Sequence, residues 1–171
     1  MQNIVVNDAN IFIDLLDIGL LDEFFRLQWE IHTTDFVMLE LLREGQKEAV
    51  THYQNGNRLH VKGFEVPELV EIRNLHKVHE NKTNISLTDC SVWYYAKKNG
   101  YVLLTGDRKL RSISQRDGVE VKGILYVFDA LVAENLISPA SAAEKLSLLH
   151  ELNSRLPLEE IEKRIKSWRN I

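Results

Sequence analysis

The chain holds one cysteine, Cys90, in 171 residues. That excludes an internal disulfide and points to a reducing compartment. No apolar run approaches the ~18 residues that a membrane-crossing helix requires, and no basic N-terminal segment leads into an apolar core and a cleavage site. A cytoplasmic protein without membrane association is the expectation. There is no glycine-rich phosphate loop and no nucleophile elbow, so the sequence offers no motif for either chemistry. His76 and His79 have a metal-ligand spacing, but no cysteine or third histidine stands nearby to complete a zinc set, and a solvated helix face accounts for them. Positive charge is not in excess. The net charge is −4, which gives the chain as a whole no polyanion-binding character.

Hydrophobic residues make up 44% and charged residues 27%, values that suit a globular chain. At this length the simplest organisation is a single domain over residues 1–171 that buries about two-thirds of its unfolded surface, with about 126–171 as a C-terminal helical extension packed on it. Charge is unevenly placed. Residues 94–122 carry seven cations (Lys97, Lys98, Arg108, Lys109, Arg111, Arg116, Lys122) against Asp107, Asp117 and Glu120. This local balance of +4 leaves −8 on the rest. Such a strip suits contact with phosphates, and a solvated basic face accounts for it equally well.

Short apolar runs alternate with amphipathic stretches, which predicts βα units around a parallel sheet. Strands are expected at 3–7, 30–33, 58–61, 101–105 and 119–121. Helices are expected at 11–16, 20–27, from Thr34 or Asp35 to near Gly45, at 48–55, 67–79 and 86–98, and then at 125–134, 141–152 and 157–168. Residues 81–84 read as a loop. Ser141 with Glu144 forms a capping-box pattern, and Trp29, Trp93 and Trp168 read as core or interface.

Four acids stand beside apolar runs: Asp8 after Ile4-Val5-Val6, Glu40 between Phe36 and Leu42, Asp89 after Ser86-Leu87-Thr88, and Asp107 after Tyr101 to Leu104. Buried carboxylates are rare unless paired, and hard divalent cations are natural partners for clustered carboxylate oxygens. Asp8 and Asp107 follow directly on strand ends, where open α/β sheets bind ligands, and Asn10 and Thr105 are nearby polar groups. Each acid also has a plain structural reading. Asp is common where a strand enters a turn, and Ser86 to Asp89 is a capping box. Glu40, surrounded by Met38, Leu39, Leu41 and Leu42, reads as partly buried. Four close acids cannot all stay ionised without cations. One or two Mg²⁺ or Mn²⁺ ions would resolve this and activate water for phosphodiester hydrolysis, leaving a 5′-phosphate and a 3′-hydroxyl.

With those residues in view, the chain resembles the PIN-domain family. The likeness rests on Val5 to Asn10, Val37 to Leu41, Leu87-Thr88-Asp89 and Leu103 to Arg111, in that order. It implies an α/β/α sandwich around a mostly parallel sheet, here with extra C-terminal helices. It also implies a metal-binding and catalytic quartet of Asp8, Glu40, Asp89 and Asp107, with Asn10 and Thr105 in support. The family's usual activity is Mg²⁺- or Mn²⁺-dependent cleavage of single-stranded RNA, often as the toxin of a VapC-type toxin–antitoxin pair. An RNA substrate, an antitoxin partner and a homodimer follow as expectations, with Arg108, Lys109 and Arg111 on substrate phosphates. One departure is that Asp107 continues as Arg108-Lys109-Leu110-Arg111, without the further acid some members carry. Three other readings compete. One is a catalytically silent PIN-fold module acting through a protein partner. The others are a haloacid-dehalogenase-like phosphatase, which wants an acid where Asn10 stands, and a receiver domain, which wants adjacent acids where only Asp8 follows Asn7.

Overall fold

A computed structural model describes residues 3–170. Five strands form one sheet in the order β3-β2-β1-β4-β5, with every neighbouring pair parallel. They are β1 (Asn3–Asn7), β2 (Trp29–Thr34), β3 (Leu59–Lys62), β4 (Val102–Leu104) and β5 (Val121–Lys122). Between them run α1 (Ala9–Asp17), α2 (Leu21–Phe24), α3 (Asp35–Glu40), α4 (Gln46–Asn55), α5 (Val66–Thr83), α6 (Leu87–Asn99) and α7 (Arg108–Arg116). The chain continues as α8 (Ile124–Ala133), α9 (Pro139–Leu152) and α10 (Leu158–Arg169).

Central strands of a parallel sheet are buried on both faces, so Val5 and Val6 of β1 are both at or below 1% exposure. On one face α6 lies against the sheet, where Tyr95 meets His32 of β2. On the other face Trp29 of β2 stacks on Tyr126 of α8 and meets Phe24 of α2 edge-on. The expected α/β/α layering is therefore what forms. The core also takes in Ala142, Leu146 and Leu149 of α9 and Ile161 and Trp168 of α10.

Several boundaries depart from the sequence pattern. α3 stops at Glu40 rather than near Gly45, because Leu41 leaves the helical region at φ −79°, ψ 83°. α2 ends at Phe24, short of Leu27. α5 runs through 81–83 and ends on Asn84 at φ 53°, a left-handed stop that asparagine tolerates. α9 is capped by Ser138, whose hydroxyl accepts from Ser141 N, with Pro139 in its first turn. The Ser141–Glu144 box is therefore not the cap. α7 was not expected at all. Its buried side is Leu110, Ile113 and Ser114, and Asp107 begins it.

Candidate active site

Strand order reverses between β1 and β4. β1 is joined on one side by β2 and on the other by β4, which opens a crevice at their carboxyl ends. Asp8 follows β1 and donates its backbone N–H to Leu104 O at 3.0 Å. Thr105 follows β4 and donates to Lys122 O at 3.1 Å. The two strand ends thus place Asp8 and Thr105 side by side.

Their side chains build one network. Asp8 Oδ2 accepts from Thr105 Oγ1 at 2.7 Å and from Asn10 Nδ2 at 2.6 Å, while Oδ1 accepts from Ala9 N at 2.8 Å. Thr105 Oγ1 also accepts from Asp107 N at 3.0 Å, and Asn10 Oδ1 accepts from Gly106 N at 2.7 Å. Glycine at 106 has a local reason, since a Cβ there would lie 3.2 Å from Asn10 Oδ1. Asp107 caps α7 by accepting from Leu110 N at 2.8 Å. Asp89 sits in the capping box of α6, accepting from Ser86 N at 2.7 Å. Asp8, Asp89 and Asp107 therefore all stand at helix N-termini, where the backbone favours negative charge.

That favour does not balance the burial of Asp8, which is 3% exposed. Burial foremost, with the negative charges of Asp89 and Glu40 adding to it, raises its pKa to about 7 against the lowering by Thr105 and Ala9. Burial likewise raises Asp89, with Asp107 contributing. No Lys or Arg side chain bonds to Asp8 among the described residues. A buried carboxylate with converging like charges and no protein cation has the chemistry of a divalent-ion ligand.

Not every expected residue falls into this network. Glu40 is exposed at the last position of α3, and Leu39 and Leu42 are 69% and 84% exposed. The expectation that Glu40 is partly buried is therefore wrong: α3 ends at this residue, and Leu39 and Leu42 beside it face outward. Its charge still reaches Asp8. Arg108 and Lys109 are exposed at the start of α7. Arg111 points inward, donating to Thr105 O at 3.1 Å and Val121 O at 3.4 Å. Its guanidinium braces the β4 end.

Two features escaped the sequence reading. Asp14 of α1 is 7% exposed, and burial raises its pKa to about 6. Its side-chain partner is Asn153 Nδ2 at 3.3 Å. It lines a cavity of about 400 Å³ together with Asn10, Asp107, Arg108 and Lys109. An acid inside the apolar stretch Ile11 to Leu16 was the available signal. Elsewhere, Glu30, His32 and His60 bring one ligand atom each within 4.8 Å of one another, a convergence across neighbouring strands that spacing along the chain does not reveal. His32 there is already held by Glu30 at 2.8 Å and Tyr95 at 2.7 Å. His76 instead pairs with Glu80 at 3.1 Å, and His79 packs on Trp93.

The chain is thus a parallel α/β sandwich whose acids gather where the strand order reverses. A family model described as a PIN domain matches residues 4–170, and the chain belongs to the PIN-domain family, which is a nuclease family. Among curated proteins none matches in sequence. The chain is similar in structure to PAE2754 from Pyrobaculum aerophilum, at 18% identity and TM-score 0.55, over 78% of this chain and 99% of that one. It is more distantly similar to VapBC2 from Rickettsia felis, solved bound to a DNA fragment from their promoter, at 13% identity and TM-score 0.49, over 70% and 98%. FitAcB from Neisseria gonorrhoeae follows at 16% identity and TM-score 0.44, over 71% and 99%. The first likeness speaks to fold, and the last two are too distant to carry an argument. No helix among the described residues is long and apolar enough to cross a membrane.

Proposed function

We propose that this chain is a metal-dependent endoribonuclease of single-stranded RNA, with Asp8, Glu40, Asp89 and Asp107 as the acids that hold Mg²⁺ or Mn²⁺. The observation that carries the reading is Asp8 itself, held by three donors, raised first by burial and further by two other acids, and met by no cation among the described residues. When bound, the ion supplies charge stabilisation on the phosphate and an activated water. The chain's own residues do the rest. Thr105 and Asn10 fix the Asp8 carboxylate in one orientation, and Thr105 ties Asp107 to the same point. Arg108 and Lys109 stand at the rim to take substrate phosphates.

Leu39 and Leu42, exposed on either side of Glu40, support a protein partner on that surface, the place for an antitoxin if the chain is the toxin of a pair. The same leucines also favour a second reading, a silent module whose partner does the work. Cleavage of a labelled single-stranded RNA by wild type, Asp8→Asn and Asp107→Asn separates the two. The nuclease reading expects cutting by wild type in Mn²⁺ or Mg²⁺ and loss of at least 100-fold in both variants, on the order of one lost electrostatic contact at a reacting centre. Full activity in both variants would remove the quartet from the reaction.

A further inference from the structure

The turn between α9 and α10 forms one wall of the cavity beside Asp107, with Asn153, Arg155 and Leu156 in its lining. Two hydrogen bonds fasten it there and a third closes the turn on itself. Asn153 Nδ2 donates to Asp14 at 3.3 Å, Arg155 N donates to Asn153 Oδ1 at 3.3 Å, and Arg108 Nη2 donates to Arg155 O at 3.1 Å. The contact from Arg108 uses the Arg155 backbone, so the exposed Arg155 side chain remains available. Arg108 and Lys109 are shared with a second groove of about 500 Å³, lined further by Lys82, Asn84, Ser112 and Arg116.

Five cations line these two grooves. Lys97, Lys122 and Arg164 each hold an acid at 2.6, 3.2 and 2.8 Å. Arg155, Arg108, Lys109, Lys82 and Arg116 are all exposed, and no ion pair forms at any of them among the described residues. They therefore line, without an ion pair of their own, two depressions that share Arg108 and Lys109, the first of them lined also by Asp14 and Asp107. A polymer with regularly repeated negative charge is the ligand such a row fits, and an open groove lined by side chains rather than a deep cradle suits a single strand.

We propose that the phosphodiester backbone of single-stranded RNA lies along this track, from Arg155 of the α9–α10 turn, across Arg108 and Lys109 beside Asp107, to Lys82 and Arg116. The C-terminal helices thereby contribute a substrate contact as well as core. The proposal rests on the nuclease reading for the identity of the strand, but its binding test does not depend on turnover.

The test is fluorescence anisotropy of a short labelled single-stranded RNA with the full chain in EDTA, across a range of salt. Five phosphate contacts give a slope of log K against log salt near −3.5, taking about 0.7 per contact for a single strand. Arg155→Ala, Lys82→Ala and Arg116→Ala should each make the slope shallower by about 0.7, whereas Lys47→Ala on α4, outside both grooves, should leave it unchanged. Arg155→Ala keeps every backbone contact of the turn, and a wild-type unfolding curve for the variant removes misfolding as an explanation. Unchanged slopes in all three variants overturn the track, even if wild type cuts RNA in Mn²⁺. Reduced slopes with no cutting by wild type uphold the track and overturn the nuclease reading instead.

Discussion

Metal-free stability of this protein should fall as pH rises, and Asp8 should be the main cause. Its pKa is lifted from the ordinary 3.8 to about 7 by burial, with Asp89 and Glu40 reinforcing the effect. Between those two values the folded chain holds a proton that the unfolded chain has released. The stabilisation from that proton is complete below about pH 4 and is lost as pH climbs towards 7. At about 1.4 kcal/mol per unit, roughly three units amount to ~4 kcal/mol. Asp8→Asn cannot ionise, so it escapes this loss. The amide keeps one acceptor for Ala9 N and presents a donor to Asn10 and Thr105, a mismatch costing ~1–3 kcal/mol at every pH. The variant should therefore be the less stable protein at pH 4 and as stable as wild type or more so at pH 8. Urea unfolding of both proteins in EDTA from pH 4 to 8 measures this. Asp14, with its pKa of about 6, tilts both curves alike, so their difference isolates Asp8. A difference that stays constant across that range would refute the reasoning. Adding Mg²⁺ at pH 8 should stabilise wild type and leave the variant unmoved.

Thr105→Val removes the hydroxyl that donates to Asp8 and accepts from Asp107 N, leaving buried polar groups unmet. Urea unfolding should show a loss of about 2–3 kcal/mol, and RNA cleavage should fall with it. Near-wild-type stability would mean that water replaces the hydroxyl. Trp168→Ala, in a side chain 8% exposed and stacked on Phe128 at 6.2 Å, should cost about 3–5 kcal/mol in one cooperative transition. A separate early transition would instead make the C-terminal helices an independently melting appendage.

The sheet was legible because its strands are short apolar runs set between amphipathic stretches, most plainly Val5-Val6 in β1 and Val102 to Leu104 in β4. α6 was legible because Ser86, Asp89 and Gly100 mark both its ends. α7 was hidden by its first residues, since Thr105-Gly106-Asp107-Arg108 reads equally as a turn, and only the burial of Leu110 and Ile113 distinguishes the two. Glu40 shows how a local argument can fail. Apolar neighbours imply burial only if the helix continues, and α3 ends at that residue. The same argument fitted Asp14, flanked by Ile13 and Leu15, which is buried and lines the cavity. Arg111 read as one of a run of surface cations. Its inward turn depends on carbonyls freed at the ends of β4 and β5, a tertiary fact. Gly123 marks it in retrospect, since a Cβ there would meet the Arg111 guanidinium at 2.7 Å. The Glu30, His32 and His60 convergence depends on the pairing of β2 with β3, which puts His32 opposite His60.

The most direct measurement is the chemistry of the ends that wild-type protein leaves on a labelled single-stranded RNA in Mn²⁺, beside an EDTA control. Metal-dependent cuts carrying a 5′-phosphate and a 3′-hydroxyl are the predicted result, because water held by the acidic site attacks phosphorus and the 3′-oxygen leaves. Cuts ending in a 2′,3′-cyclic phosphate, cutting that persists in EDTA, or no cutting with metal present would contradict the account.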